Sequence, residues 1–559
     1  MYRPDCYDTD PRVRSYCVPT RVMRTWYDAS NTDALLIKRP SQIPLNTPAD
    51  WQPCILKNGG NGNPAVLVDF GCEFHGSARI YVQYVKNKTS RADFLIRFGE
   101  SATEAITPVG QRGSTNDHAN RDFVMNCGSW SANETNCSGY RFLYVELLSP
   151  DTEVGLYMLQ GVVIQRDMPR KGSFRCSDEV INNIYETAAY TAFLCCQEYL
   201  WDGIKRDRLI WCGDMYPSTL TLTAVFGDTK VLRDSLDMQK RITPSNEWMN
   251  GMPSYSLWWT LCHDLLYRLY GDKAYLEEQV QYISEMLHNA ARFIAEDGSE
   301  TLPGAFLDWP NNENKQAVHA GQQALAVHAF ERAEYIFTLL EREDDAKFCR
   351  ETAAHLRKAV VNPNGSKQAS ALMAMWGLAD PKFIDDTIIS PNGAHGYSTF
   401  LGYGTLAVKA LADNMNGALE DMKAYWGRML ELGATTFWED FNLDWAENAC
   451  GIDELVPDGC NDIHADHGAY CYTGLRHSLC HAWASGPAPF LADYVLGIKP
   501  IEPGCKTVSV KPNLGFLSWA EGTYPTPRGE LFVRAEKDEN GATKVTVKAP
   551  SGVKVITEQ

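Results

Sequence analysis

The chain of 559 residues has no run of 18 consecutive apolar residues, no excess of basic residues and no Cys-x-x-Cys pair. The first absence predicts that no helix crosses a membrane. The formal net charge of −18 argues against a nucleic-acid partner, because a phosphate backbone demands a basic surface, and against anionic membranes. The 17 cysteines are an odd number without zinc-like spacing to histidine. They predict free thiols in a reducing cytoplasm rather than a disulfide framework.

Several functional motifs are also missing from the sequence. There is no G-x-S-x-G elbow, no glycine-rich phosphate loop and no clear cluster of metal ligands. The first ten residues, MYRPDCYDTD, lack the basic and apolar regions of a signal peptide, although a removed leader would leave a similar start. We therefore expect an enzyme or binding protein without metal or cofactor, in the cytoplasm. A homo-oligomer is compatible with the sequence.

The length predicts two to four domains, and 44% hydrophobic residues supply material for their cores. Residues 1–170 are predicted to be a β-sandwich region. Stretches rich in β-branched and aromatic residues are separated there by turn-forming Gly, Asn, Pro and Ser. The predicted strands are 78–85, 94–100, 141–148 and 154–164.

Residues 171–499 are predicted to be almost wholly helical. Ser177 is the predicted N-cap of the first helix, and apolar residues from Val180 onward recur at helical spacing. Ten to twelve helices are predicted, a number that suits an (α/α)6 barrel. An open helical solenoid is the competing architecture, but no fixed internal period is visible. Residues 500–559 alternate apolar and polar side chains and are predicted to be a C-terminal β-sandwich, with strands at 506–512, 529–537, 543–550 and 552–557.

The stretch WDGIKRDRLIWCGD, residues 201–214, concentrates charge and aromatic rings. It contains Asp202, Asp207 and Asp214, together with Arg206 and Trp211. If it were helical, Asp207 and Asp214 would share a face. Mixed charge is usual on a solvated surface, whereas carboxylates beside arginine in an aromatic setting are typical of acid–base groups. The residues alone leave both readings open.

Other acid–aromatic pairs lie further along the chain. Glu439 follows Trp438 in ATTFWEDFNLDWAEN, where a helix end with acids facing solvent is the alternative. Three further segments are each compatible with a packed core as well as with a site: FLDWPNN with Asp308 and Trp309, MPSYSLWWT with Trp258, and HSLCHAWASG with His477 and His481. The two histidines are predicted to share a helix face, without the glutamate of a zinc protease.

Taken in order, these stretches resemble the α-L-rhamnosidases of glycoside hydrolase family 78. The resemblance rests on GYRFLYVEL with GVVIQRDMPRKGSFRCSDEVINNIY, on DGIKRDRLIWCGD, on GATTFWEDF, and on HAWASGPAPFLADYVLGIKPIEPGCKTVSVKPNLG. It implies an (α/α)6 barrel flanked by N-terminal and C-terminal β-sandwich domains. It also implies a carbohydrate substrate, namely a terminal α-L-rhamnoside, and hydrolysis with inversion by two carboxylates.

The resemblance also implies roles for individual residues. Glu439 falls at the general base, and Asp207 falls where the family usually has a glutamate as general acid. Because aspartate is one methylene shorter, this departure also leaves open another deoxy- or unsaturated sugar, or a glycan-binding protein on a degenerate glycosidase scaffold. The residues predicted to bind substrate are Asp202, Arg206, Trp211, Asp214, Trp258, Asp308, Trp309, Trp438 and His481.

Overall fold

The computed structural model describes residue 6 and residues 8–46, 48–469 and 472–557. Its N-terminal region consists mainly of strands and confirms the four strands predicted there. The ten strands are β1 (Arg12–Cys17), β2 (Arg21–Trp26), β3 (Ala29–Ser30), β4 (Cys54–Asn58), β5 (Ala65–Lys86), β6 (Arg91–Gly99), β7 (Asp122–Gly128), β8 (Ser131–Glu134), β9 (Ser138–Leu147) and β10 (Thr152–Arg166).

These strands form one hydrogen-bonded sheet in which β5 is the organising element. The order is β3-β4-β10-β5-β9-β6-β7, with β1 on β10 and with β2 and β8 on β5. Apolar side chains of β5 such as Val66, Val68 and Ile80 are fully buried in a core shared with β6 and β9. The alternation of side chains along paired strands thus places one face of the sheet in a common core.

Most of the remaining chain up to residue 495 is helical. The α-helices are α1 (Ala102–Ile106), α2 (Glu179–Leu194), α3 (Cys212–Val225), α4 (Lys230–Ile242), α5 (Pro253–Tyr270), α6 (Lys273–Ala291), α7 (Lys315–Leu339), α8 (Glu343–Leu356), α9 (Lys367–Met375), α10 (Pro381–Ile384), α11 (Gly402–Leu411), α12 (Met415–Glu431) and α13 (Pro487–Phe490).

The start of α2 differs from the prediction by one residue. The N-cap is Asp178 rather than Ser177, because Asp178 Oδ1 accepts hydrogen bonds from the amides of Val180 and Ile181 at 2.9 and 3.2 Å. A carboxylate at this position satisfies two amides that have no partner within the helix.

Alternate helices pack in a closed series. Helix α3 packs against α5, α5 against α7, α7 against α9, α9 against α11, α11 against α13, and α13 against α3. Helix α2 packs against α12 and α13. The apolar residues of these helices belong to one large core. The loops that leave α2 and α12 carry the acidic stretches singled out in the sequence.

The C-terminal region consists mainly of strands, as predicted, and its first strand begins at Ile498. They are β16 (Ile498–Pro500), β17 (Thr507–Val510), β18 (Trp519–Thr526), β19 (Gly529–Lys537), β20 (Thr543–Lys548) and β21 (Lys554–Thr557). One sheet has the order β16-β17-β21, and another has the order β11-β18-β19-β20, in which β11 spans Ser173–Cys176. Strand β11 (Ser173–Cys176) precedes α2 and was not predicted. Residues 173–176 therefore belong to the C-terminal sheet, although the sequence placed them with the helices.

Four short strands lie in the loops between α12 and α13. They are β12 (Ala449–Cys450), β13 (Asn461–Asp462), β14 (Gly468–Ala469) and β15 (Tyr472–Thr473). Within the described ranges, none of the helices combines the length and the apolar content that crossing a membrane requires.

Candidate active site

The stretch 201–211 is a compact loop between α2 and α3, so its residues do not share a helix face as the helical reading required. The amide of Asp202 donates to the carbonyl of Leu209 at 3.0 Å, and the Leu209 amide donates to Asp202 Oδ1 at 2.9 Å. The backbone of Gly203 forms an isolated antiparallel β-bridge with that of His481. A Cβ on Gly203 would lie 2.9 Å from the Cys480 carbonyl, so this close approach of two chain segments favours glycine.

Asp207 and Arg208 occupy the left-handed region of the backbone map, with φ of 52° and 54°. Each such residue costs of order 1–3 kcal/mol, and strain of this kind concentrates at functional sites. Contacts with the N-terminal sheet region hold the conformation. Arg208 donates from Nη1 to the Cys137 carbonyl at 3.3 Å and from Nη2 to the His118 carbonyl.

A single guanidinium joins the two carboxylates that the resemblance singles out. Arg206 Nη1 lies 2.6 Å from Asp207 Oδ1, and Arg206 Nη2 lies 3.2 and 3.0 Å from the two oxygens of Glu439. The side chains of Arg206 and Glu439 are each 3% exposed, and that of Asp207 is 11% exposed. Because the three groups are shielded from water, their mutual electrostatic interactions are strong.

The backbone of Glu439 is fixed from several directions. Its amide donates to the Ser478 carbonyl at 3.0 Å, and its carbonyl accepts from Trp483 Nε1 at 2.8 Å and from Thr399 Oγ1 at 2.5 Å. The preceding residue, Trp438, is buried, and among the described residues its Nε1 has no hydrogen-bond partner.

Two further carboxylates flank a buried histidine. His481 Nε2 lies 3.8 Å from Asp202 Oδ2 and 3.6 Å from Asp214 Oδ2. Burial raises the pKa of Asp202 and of Asp214 well above the usual range; the charge of Asp207 adds to this effect at Asp202. Burial also lowers the pKa of His481 to about 3. The two carboxyls therefore favour the protonated form, and His481 is neutral near pH 7.

The glycine before Asp214 has a steric role. A Cβ on Gly213 would lie 2.2 Å from the ring of Tyr255, whose hydroxyl donates to Asp214 Oδ1 at 2.9 Å. Trp211 packs edge-on against the same Tyr255 ring, with centroids 6.1 Å apart. The sequence W-C-G-D thus sets a carboxylate, a tyrosine and a tryptophan side by side at the start of α3.

Asp308 and Asp440 form a second acidic pair near the base. Burial raises the pKa of Asp308 to about 6 and that of Asp440 to about 7, and the Asp308 charge adds to the second shift. Asn311 Nδ2 donates to Asp308 Oδ1 at 2.6 Å. The Asp440 amide donates to His477 Nε2 at 2.9 Å.

Two of the tryptophans predicted to bind substrate, Trp309 and Trp258, have different surroundings. Trp309 packs against Phe306, which in turn packs against Tyr255. Trp258 is buried in an aromatic cluster with Tyr216, Trp376 and Phe400. Ring contacts connect it through Phe400 to Trp483, whose ring centroid lies 4.2 Å from that of His481.

The prediction that His477 and His481 share a helix face is wrong. The segment from His477 to Cys480 is irregular, because its backbone groups bond to other segments: the carbonyl of Ser478 accepts from Glu439 and the amide of Leu479 donates to Glu100. His481 nevertheless lies near Asp202 and Asp214, and its buried Nδ1 has no hydrogen-bond partner among the described residues.

The sequence did not point to the residues that hold the loop from the N-terminal region. Lys205 is buried, and its Nζ lies 2.9 Å from Glu100 Oε2 and 3.3 Å from Glu104 Oε1. His118 Nε2 lies 3.4 Å from Asp207 Oδ1. These partners are about a hundred residues away along the chain, and no local motif marks them.

Comparisons with known proteins agree with the motifs. Residues 169–369 match the family model of the bacterial alpha-L-rhamnosidase 6 hairpin glycosidase domain, and residues 497–556 match that of the bacterial alpha-L-rhamnosidase C-terminal domain. A curated alpha-L-rhamnosidase of Formosa agariphila is 24% identical over 224 residues, which are 39% of this chain and 23% of the relative.

Two solved structures share the fold. A family 78 rhamnosidase of Bacillus sp. GL1 superposes with a TM-score of 0.76 at 20% identity, over 94% of this chain and 55% of that chain. A Klebsiella oxytoca rhamnosidase with rhamnose bound superposes with a TM-score of 0.68 at 20% identity, over 86% of this chain and 96% of that chain. This chain spans about a quarter of the curated relative and just over half of the Bacillus protein. The resemblance inferred from the motifs is confirmed.

Proposed function

We propose that this chain, in which two segments match bacterial α-L-rhamnosidase domains, is an inverting exo-glycosidase that hydrolyses terminal α-L-rhamnosides. The observation that carries the proposal is the placement of Asp207 and Glu439 on one buried guanidinium, that of Arg206. These are the positions where the motifs place the acid and the base. The match of residues 169–369 to a glycosidase domain model supports the same conclusion.

The proposed reaction is a single displacement. Asp207, protonated, gives its proton to the glycosidic oxygen as the bond to the anomeric carbon breaks. Glu439, ionised, removes a proton from a water molecule that attacks the opposite face of the sugar. Arg206 contacts both carboxylates and holds them in fixed relation while protons arrive and leave. The products are the free sugar with inverted anomeric configuration and the aglycone alcohol.

The sugar would bind between the acidic loop and the segment around His481. Asp202 and Asp214 are buried carboxyls that favour the protonated form, so each can donate a hydrogen bond to a sugar hydroxyl as well as accept one. Trp438 Nε1 and His481 Nδ1 are buried polar atoms without a partner among the described residues. Buried polar groups normally have partners, so we assign these two to sugar hydroxyls.

The architecture that we propose for the catalytic region is an (α/α)6 barrel. The closed series α3, α5, α7, α9, α11 and α13 supports an inner ring, and the intervening helices supply an outer ring. The N-terminal and C-terminal sheets would be the flanking sandwiches, with catalytic groups drawn from residues 201–483. A cytoplasmic location remains a prediction from the sequence.

The test is hydrolysis of a panel of nitrophenyl glycosides that includes α-L-rhamnoside, α-L-fucoside and unsaturated uronides. We expect turnover of the α-L-rhamnoside, with proton NMR showing β-L-rhamnose as the first product. If the protein hydrolyses only a different glycoside of the panel, the sugar of that glycoside is the substrate in place of rhamnose. Retention of configuration would refute the single displacement. Thermal stabilisation by rhamnose without hydrolysis of any glycoside would indicate a binding protein.

A further inference from the structure

We infer that His118, which the N-terminal sheet region contributes to the site, is a positioning residue that returns a proton to Asp207 after each turnover. The inference rests on the proposed function, because it assigns a part of the proposed proton cycle. It also gives the N-terminal region a role beyond supporting the helices.

The geometry places His118 between solvent and the proposed acid. His118 Nε2 lies 3.4 Å from Asp207 Oδ1, slightly beyond the range of about 2.6–3.2 Å for proton transfer, so a small approach or one bridging water completes the path. The side chain of His118 is 36% exposed, whereas that of Asp207 is 11% exposed. The imidazole of His118 therefore contacts both bulk water and a carboxylate that is largely shielded from water.

The loop that carries His118 is held in place by its neighbours. His118 has a left-handed backbone, with φ of 61°, and its carbonyl accepts a hydrogen bond from Arg208. The preceding Asp117 is paired with Arg476, whose Nε and Nη2 both lie 2.8 Å from Asp117 Oδ2. These contacts tie the sheet region to the acidic loop on one side and to the segment before His477 on the other.

The charges around His118 come from three segments. Asp117 Oδ2 on its own loop lies 3.9 Å from His118 Nε2, and Asp207 on the acidic loop is the nearer carboxylate. Arg206 and Arg208 lie on that acidic loop, and Arg476 pairs with Asp117. The charged groups around His118 are thus two carboxylates and three guanidinium groups.

The proton balance follows from the proposed displacement. After bond cleavage Asp207 is a carboxylate and Glu439 carries the proton taken from water. The imidazolium of His118 then transfers its Nε2 proton to Asp207 Oδ1: the N–H bond breaks, an O–H bond forms, and both groups become neutral. His118 regains a proton from water, and Glu439 releases its proton to water. The cycle consumes no reagent other than the substrate and one water molecule.

The kinetic test uses His118→Ala on a rhamnosyl disaccharide. We expect kcat to fall by about tenfold or more, below the 10²–10⁴-fold worth of the acid itself, with KM nearly unchanged. The loss should deepen as pH rises, and added imidazole should restore kcat. The control is His319→Ala, because His319, on helix α7, is 37% exposed and its Nδ1 lies 2.6 Å from Oε1 of the buried Glu300. It should leave kcat unchanged and should show no response to imidazole.

A second measurement does not depend on turnover. The imidazole NMR signals of His118, followed in the histidine-labelled protein, should shift in Asp207→Asn, because the carboxylate 3.4 Å from Nε2 is replaced by an amide. If the wild-type protein hydrolyses no rhamnoside but this shift is present, the proposed function fails and the contact between His118 and Asp207 stands. If the wild type is active and His118→Ala keeps its kcat at every pH, or loses it without imidazole rescue, the relay is refuted and the proposed function stands.

Discussion

Nη2 of Arg206 lies 3.2 and 3.0 Å from the two carboxylate oxygens of Glu439, a residue 233 positions further along the chain. Both side chains are buried, so this pair depends on contacts that exclude water from both segments. Breaking a buried pair by removing one partner is strongly destabilising, which makes the choice of variant important. Isosteric amides are therefore the appropriate substitutions at the acidic positions.

The variant Glu439→Gln should abolish turnover of every glycoside, whatever its leaving group. An amide cannot take the proton from the attacking water, and that step does not depend on the aglycone. The measurement is kcat on a disaccharide and on a nitrophenyl rhamnoside, with circular dichroism to show that the variant is folded. Glu447→Gln, an exposed glutamate of the same segment, is the control. Near-normal rates in folded Glu439→Gln would exclude Glu439 as the base.

The variant Asp207→Asn should discriminate between leaving groups. A natural glycoside needs a proton on the departing oxygen, so kcat should fall by about 10²–10⁴-fold, the usual worth of general acid catalysis. A nitrophenolate leaves without that proton, so its rate should fall much less. Equal losses on both substrates would mean that Asp207 binds sugar or holds the loop. The donor should then be sought among Asp202, Asp214 and Asp308.

The variant Lys205→Met should destabilise the protein by about 3–5 kcal/mol, because two buried carboxylates lose their cation. Lys205 Nζ contacts Glu100, Glu104 and the carbonyl of His477, which lies 2.5 Å away. The measurement is the urea midpoint of unfolding. Lys382→Met is the control, because its ion pair with Asp386 is 66% and 55% exposed. It should leave the urea midpoint close to that of the wild type. Equal midpoints for the two variants would contradict the structural role of Lys205.

The variant Asp440→Asn should change how stability depends on pH. Burial raises the pKa of Asp440 to about 7 in the folded protein, from 3.8. The unfolded chain therefore loses its proton first, and the wild type loses stability as pH rises from about 4 to about 7. Above pH 7 the raised pKa of Asp440 lowers the free energy of unfolding by up to about 4 kcal/mol. Relative to wild type, Asp440→Asn should gain stability between pH 5 and pH 8, as measured by urea unfolding at both values. The exposed control Asp444→Asn should show no such gain.

Removal of divalent metals should leave activity intact. Glu100, Glu104 and His464 offer ligand atoms within 4.8 Å of one another, an arrangement that could hold a metal ion. The ammonium of Lys205, however, pairs with both glutamates and supplies the positive charge that a metal would bring. Dialysis against EDTA should therefore leave kcat unchanged. Loss of activity that a single metal restores would contradict this prediction.

The helices and strands were easier to predict from the sequence than the tertiary contacts of individual residues. The strands near residues 78 and 154 and the long helices follow from side-chain periodicity, which is a local property. The candidate acid and base also stand in local motifs. The contacts of Lys205 and His118 were missed because they join segments about a hundred residues apart, where no periodicity operates. His477 and His481 were misassigned to a helix because tertiary hydrogen bonds, not propensity, set the backbone between them.

Strand β11 pairs with β18 from Ser173↔Thr523 to Cys176↔Ala520, across about 350 residues. During vectorial synthesis at about 5–20 residues per second, roughly 20–70 s separate the appearance of the two strands. Throughout that interval β11 has no partner strand next to the emerging helices, because β18, β19 and β20 of its sheet have not yet been made. The helical region therefore acquires its final enclosure only after translation has passed β18, and a ribosome stalled before that point would present an open edge to chaperones.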